Sequence, residues 1–325
     1  MTLYRPSLAR IFMAIKEHVD LKPYTYFKIG GEARFLSEVK NIEELKEAVH
    51  FAKEHNLPFV VLGAASNILI ADSGYRGVVI RVLLRGIQRD GTRLVVEAGV
   101  PDAVAVRRSL DEKLSGFEWA IGIPGTIGGS VRGNAGCFGG EMKDVVERIR
   151  FFDARSGVVE EKDNAFCRFA YRESVFKHST HLIILSVTLS LHERDPDTSQ
   201  KLVRKYSSLR SDAQDIGSSS AGCVFKNVPW PDDEKKRARL LWLVPDLAEF
   251  SKFPTIPIGF LVDHLGLKGR KIGNISISKK HGNYLINNGG ATAEEVIMMI
   301  GMIKEYIHRK FDLYPEEEIQ YIGFD

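Results

Sequence analysis

Residues 122–140 read GIPGTIGGSVRGNAGCFGG, and eight of these nineteen residues are glycine, at positions 122, 125, 128, 129, 133, 136, 139 and 140. Each glycine costs backbone entropy, so a cluster this dense implies positive-φ turns or a backbone that must lie against something flat or anionic. Ile121, Ile123, Ile127 and Val131, in and beside the run, argue against a flexible linker, which would be serine-rich and free of β-branched residues. Two readings stay open: a cofactor cradle, or tight buried turns at a domain centre. Glycine motifs alone do not decide between them.

Upstream, strands surround one helix. Residues 34–39 read as a strand, Asn41 to Glu44 (NIEE) has the form of a capping box, and Ile42, Leu45, Val49 and Ala52 recur at spacings of three and four, giving one buried helical face. Asn56 ends that helix, Pro58 follows, and residues 59–62 (FVVL) form the next strand. This βαβ-like unit opens onto Gly63, Ala64, Ala65, Ser66 and Asn67. A Rossmann phosphate turn would lead into a helix, with an acidic residue about 20 positions on. Here Ile68, Leu69 and Ile70 continue as a strand, so the loop is either a nest of backbone N–H groups for a diphosphate or a plain β-turn. Residues 78–82 and 94–98 are further strands, and residues 102–114 are helical.

Downstream, residues 149–152, 158–159 and 182–187 rebuild a sheet, with residues 169–176 between them. Residues 191–200 are polar with one proline, which places a domain boundary there. Beyond it, residues 202–210 are helical and residues 218–227 form a small-residue loop entering a strand. Residues 229–253 combine prolines with a charged run and read as a solvated insertion. Thr292 to Glu295 (TAEE) is another capping box, followed by the buried stripe Val296, Ile300, Ile303 and Ile307. In the last strand, residues 318–322, Glu318 and Ile319 face opposite sides.

Composition bounds the class. At 325 residues, 44% hydrophobic and 27% charged, the chain is an ordinary globular protein of two or three domains. Its net charge of +3 gives no strong pull towards nucleic acid or a membrane surface. Cys137, Cys167 and Cys223 are widely spaced without a C-x-x-C pattern, so neither a disulfide framework nor a zinc site is expected, and a reducing, cytoplasmic setting fits. Residues 11–15 (IFMAI) are too short for a signal segment and are expected to form an amphipathic helix. No apolar run approaches the roughly 20 residues that span a bilayer.

Three segments join a reactive side chain to small or aromatic neighbours: Tyr171-Arg172, Cys223 with Lys226 and Asn227, and Glu318. Singly each is unspecific. Their order along the chain resembles the UDP-N-acetylenolpyruvoylglucosamine reductase family, also called UDP-N-acetylmuramate dehydrogenase. The resemblance rests on residues 25–31 (TYFKIGG), 61–69 (VLGAASNIL), 122–129 (GIPGTIGG) continuing to 134–136 (NAG) and 139–141 (GGE), then 171–176 (YRESVF), 220–227 (SAGCVFKN), 266–269 (GLKG) and 318–323 (EIQYIG). It covers almost the whole chain, and the absence of the tyrosine-bearing loop of longer members makes this the shorter type.

The resemblance implies an α+β chain: a two-subdomain FAD-binding fold of the VAO/PCMH type, followed by an α/β substrate-binding domain. It divides the chain into an N-terminal helix (1–20), FAD-binding subdomains (21–90 and 91–195) and a substrate domain (196–325). It implies FAD held by Gly63, Ala64, Ala65, Ser66 and Asn67 and by Pro124, Gly125, Thr126, Gly129, Ser130 and Gly136, with NADPH as co-substrate and no metal. It implies Arg172, Cys223 and Glu318 as catalytic residues and Tyr171, Lys226 and Asn227 as substrate-binding residues, for a UDP-sugar in peptidoglycan precursor synthesis. A monomer with neither nucleic-acid nor membrane partner is expected.

The implied chemistry suits these side chains. Arg172 cannot deprotonate and offers a planar fork to a substrate carboxylate. Glu318 helps an enolate-like charge only when protonated or when it orients a proton donor, and its pKa is expected to be raised. Cys223 stands where much of the family carries a serine proton donor; a thiol, near about 8.5 when unperturbed, is the stronger acid. Lys226 and Arg172 nearby are expected to favour its thiolate, so activity should decline on the alkaline side sooner than in Cys223→Ser. Ala64 and Ala65 stand where the family usually has more glycine, tolerable where φ is negative, and Phe138 where a tyrosine is common. Two other classes remain: a non-catalytic flavin or UDP-sugar binder, and an FAD-dependent oxidase of the wider fold.

Overall fold

The first sheet is built around parallel strands. In this computed structural model, which describes residues 15–215 and 217–324, strands β1 (Ile15–Asp20), β2 (Glu32–Val39), β3 (Phe59–Leu62) and β5 (Tyr75–Val82) lie in the order β1-β2-β5-β3. Both β2 and β3 run parallel to β5, and helix α1 (Ile42–Glu54) makes the crossover. Asn41 caps α1 by accepting from the Glu44 amide at 2.8 Å, Leu45, Ala48, Val49 and Ala52 are buried, and Asn56 adopts a φ of 50° just past its end. The helix expected over residues 1–20 lies outside the described residues up to residue 14. Residues 15–20 are a strand instead, because antiparallel pairing with β2 satisfies their backbone.

Strand β4 (Ile68–Ile70) leaves that sheet and pairs in parallel with Gln320–Ile322 near the end of the chain. This contact brings Glu318 beside the loop 63–67: the Gln320 amide donates to Asn67 O at 3.0 Å, and Asn67 Nδ2 donates to Glu318 O at 3.2 Å.

The second sheet is antiparallel, with β6 (Ile87–Asp90) and β7 (Arg93–Glu97) followed across it by Leu182–Ser190, Val146–Asp153 and Val158–Asp163. Helices α2 (Asp102–Asp111) and α3 (Ile127–Arg132) close one hydrophobic cluster over it. Pro196 is not a linker break but the first residue of the helix Pro196–Ala213, where its missing N–H costs nothing. That helix packs Val203 and Tyr206 against the second sheet's core, past the boundary expected near residue 195.

A separate core holds the C-terminal part. The strands Lys271–Ile272, Ile275–Ile277 and Leu285–Asn287 pack with the helix Ala293–Phe311, whose Val296, Ile300, Ile303 and Ile307 are fully or almost fully buried. Burial of this kind contributes roughly 1.5–3 kcal/mol per large aliphatic side chain. Its N-terminus carries the expected capping box of Thr292 and Glu295. Residues 229–253 are more than a solvated insertion: the helix Glu234–Leu243 and the turn after it bury Leu240, Val244 and Leu247 in this core. Residues 218–227 are held by isolated bridges, Cys223 to Tyr284 and Phe225 to Glu317, and lead into the short strand Val228–Pro229, which pairs with Thr255–Ile256.

Candidate active site

The glycine stretch and the loop 63–67 meet. A Cβ at Gly63 would lie 2.3 Å from Thr126 Oγ1, so only glycine allows the two loops this approach. The Thr126 hydroxyl is buried without a partner, and the amides of Ala64, Ala65 and Ser66 donate to no protein acceptor among the described residues. Backbone donors in a small-residue loop form an anion seat. Ser130 does not offer its hydroxyl freely: it donates to Asp102 Oδ2 at 2.7 Å. Burial pushes Asp102 up to about 7, against that hydrogen bond. The condition for tolerating alanine, a negative φ, is not met at Ala65, whose φ is 53°, a conformation that L side chains resist.

The reactive groups stand across three chain segments. Arg172 Nε donates to Glu318 Oε1 at 3.0 Å, and Arg172 Nη2 donates to Gly136 O, also at 3.0 Å. The glycine stretch thus supplies a backbone acceptor that orients the guanidinium. Tyr171 and Arg172 lie in a turn, not on the sheet, between bridged Ala170 and Glu173, and Arg172 has a φ of 58°. Lys177 Nζ holds that turn by donating to Arg172 O and to Glu173 Oε1, both at 2.9 Å. Buried Asn134 ties it to the glycine stretch, donating to Ala170 O at 2.9 Å and to Glu141 Oε2 at 2.8 Å.

Cys223 reaches the same wall because its neighbours are laced on both sides. The Val224 amide donates to Asn283 O and the Glu318 amide donates to Val224 O at 2.7 Å. Asn283 brackets Phe225 with two further bonds of 2.9 and 2.8 Å. Tyr171 Oη accepts from the Asn227 amide at 3.3 Å, and the Arg172 guanidinium lies 5.2 Å from the Tyr171 ring centre. Lys226 donates to Glu173 at 2.9 Å and to Glu316 at 3.3 Å.

Electrostatics follows from this geometry. Burial raises the Glu318 carboxyl above its ordinary value while Arg172 pulls the other way, the direction expected from sequence. Burial, with Glu318 adding to it, pushes the Cys223 thiol up to about 12 against Arg172 and Arg210. The expected thiolate is therefore not favoured: desolvation outweighs the cations, and Lys226 is committed to its two carboxylates. Burial also works against ionisation of Glu173, but hydrogen bonds from Lys226 and Lys177 hold it at about 2.

Sequence reading missed three contributors. Glu173 and Lys177 lie inside the quoted YRESVF segment or one residue beyond it, but only the fold shows them bracing Arg172. Arg210 is buried near Cys137 and Phe138, and nothing in its sequence surroundings marks it.

Comparison with known proteins bears on the family and the fold. A profile described as an FAD binding domain matches residues 33–161, and one described as the UDP-N-acetylenolpyruvoylglucosamine reductase C-terminal domain matches residues 214–322. UDP-N-acetylenolpyruvoylglucosamine reductase of Listeria innocua is 34% identical over 96% of each chain, and that of Caldicellulosiruptor bescii is 34% identical over 95% of this chain and 90% of its own. The crystal structure of the reductase from Thermus caldophilus superposes with a TM-score of 0.76 at 31% identity, covering 96% of this chain and all of that one.

Proposed function

Because the chain belongs to the UDP-N-acetylenolpyruvoylglucosamine reductase family, an FAD-dependent oxidoreductase family of peptidoglycan synthesis, we propose that it reduces enolpyruvyl-UDP-N-acetylglucosamine to UDP-N-acetylmuramate with NADPH as the hydride source. FAD supplies the two-electron relay that lets two substrates react in turn. The loop 63–67, residues 124–126, Gly129, Ser130 and Gly136 would hold it, the glycines allowing close backbone approach.

Arg172 takes the substrate carboxylate. As hydride reaches C3 of the enolpyruvyl group, negative charge grows at C2 and spreads into that carboxylate, where a fixed guanidinium stabilises it. Cys223 gives its proton to C2, and a thiol kept neutral by burial carries that proton at working pH. Glu318 aims Arg172 through its 3.0 Å bond and, being shifted towards the protonated form, repels the growing charge less than a fully ionised carboxylate. Tyr171 stacks on Arg172 and, with Lys226 and Asn227, lines the sugar-nucleotide side. In this reading the enzyme works in the cytoplasm as a monomer. Among the described residues no helix is long and apolar enough to cross a membrane.

The observation that carries this reading is the convergence of Arg172 and Glu318, from segments 146 residues apart, on the wall that also bears Cys223. The test is purification with FAD, anaerobic reduction by NADPH and addition of the enolpyruvyl nucleotide. Recovery of the oxidised flavin spectrum with formation of UDP-N-acetylmuramate is expected. Recovery only with oxygen would make the protein an oxidase, and a chain that takes up no FAD would overturn the reading altogether.

A further inference from the structure

Arg210 is only 7% exposed, yet none of its partners is charged. Nη1 donates to Gln214 Oε1 at 3.2 Å and Nη2 to Cys137 Sγ at 3.0 Å, the guanidinium lies 5.5 Å from the Phe138 ring centre, and Nε has no partner. Among the described residues no carboxylate stands within ion-pair distance of it. The neighbouring cations differ: Arg172 faces Glu318, Lys177 faces Glu173, and Lys226 faces Glu173 and Glu316. A buried guanidinium with only a neutral amide and a thiol around it is costly, and its fork fits oxyanions.

Its position makes that lack of compensation meaningful. The glycine stretch gives way to it, since a Cβ at Gly122 would lie 2.8 Å from Arg210 Cδ. Its charge is felt at Cys223 and at Tyr284, which bridge each other on the substrate wall. Arg210 therefore borders the same cleft as Arg172, reached from the helix Pro196–Ala213.

We infer that Arg210 receives the diphosphate of a nucleotide ligand in this cleft. The inference rests on the function proposed above, whose substrate carries two separate anionic groups. Arg172 takes the carboxylate, and Lys226 is engaged by two carboxylates; among the described residues Arg210 and the less buried Arg132, which bonds Gln320 and the Lys177 carbonyl, are left without a carboxylate, and of the two Arg210 is the buried one. Charge-assisted bonds to a diphosphate outcompete a neutral amide and a thiol. UDP-sugar and NADPH both carry a diphosphate, so either ligand meets the requirement.

The test titrates oxidised holoenzyme with uridine, UMP, UDP and NADP⁺, following the flavin difference spectrum. In the wild type UDP should bind more tightly than UMP, and in Arg210→Gln that advantage should shrink by about tenfold or more, with uridine unaffected. Arg210→Lys should recover part of it. A parallel loss for NADP⁺ means that both ligands use the residue, and a loss confined to one assigns it to that ligand. Arg210→Gln binding UDP and NADP⁺ like the wild type overturns the inference. Should Arg210→Gln lose its flavin, Arg210→Lys decides: unchanged UDP and NADP⁺ affinities together with an unchanged salt dependence overturn it. Wild-type enzyme that binds none of these nucleotides would instead overturn the proposed function.

Discussion

Arg172 Nε donates to Glu318 Oε1 at 3.0 Å, and this one bond couples two groups from segments 146 residues apart. Burial raises Glu318 and Arg172 opposes it. Arg172→Met removes the opposing cation, so Glu318 should titrate higher still, read from the protonated-carboxyl stretch in infrared difference spectra against pH. A lower titration point in the variant would mean that Arg172 does not act on Glu318. Arg172→Lys, which keeps the charge but loses the fork, should lower kcat by about 10²-fold or more.

The thiol of Cys223 sits at about 12, so it stays protonated across the working range. Wild type and Cys223→Ser should show coincident alkaline limbs up to about pH 10, and iodoacetamide should label Cys223 slowly at pH 8. An alkaline decline that begins below pH 9 and appears only in the cysteine enzyme would restore the thiolate expected from sequence.

Glu173 ties the turn carrying Arg172 to Lys226 of the C-terminal part, and its pKa of about 2 makes that tie pH-dependent. A depressed carboxyl pKa contributes stability above its unfolded value of about 4.3 and loses it as pH falls towards 2. Glu173→Gln should therefore melt lower than wild type at pH 7, and the two melting temperatures should converge as pH falls through that window. A constant difference across it would show that the carboxylate charge is not what stabilises the seam.

Ala65 occupies a left-handed conformation with a φ of 53°, and its side chain is buried. Relief of about 1–2 kcal/mol of strain outweighs the backbone entropy that glycine adds, so Ala65→Gly should gain roughly 0.5–1 kcal/mol. Thermal melts of the FAD-loaded protein measure it. A destabilised Ala65→Gly would mean that the methyl's packing is worth more than the strain.

Much of the fold was legible because its signals are local. Asn41 and Thr292 announce helix starts, and the spacing of Val296, Ile300, Ile303 and Ile307 announces a buried face, both set within a few residues of chain. The helix expected over residues 1–20 rests on the apolar run 11–15, whereas the mostly polar residues 15–20 (IKEHVD) take their strand form from pairing with β2, which no local pattern announces. The hydrophobic positions 240, 244 and 247 were masked by the charged residues around them. In the site, residue identities carried over from ordered motifs, but ionisation did not. Cys223 was placed beside Lys226 by sequence, whereas the fold gives Lys226 to Glu173 and Glu316 and leaves the thiol to burial. Arg210 became visible only through its burial without a carboxylate partner among the described residues.

The central claim is that Arg172, Cys223 and Glu318 serve the enolpyruvyl substrate rather than flavin reduction. Anaerobic stopped-flow on the FAD-loaded Cys223→Ala variant separates the two half-reactions. Flavin reduction by NADPH should proceed at close to the wild-type rate, while reoxidation by enolpyruvyl-UDP-N-acetylglucosamine should fall by about 10²–10⁴-fold, the range expected for loss of a positioned proton donor. Equal losses in both half-reactions, or reoxidation at the wild-type rate, would contradict it.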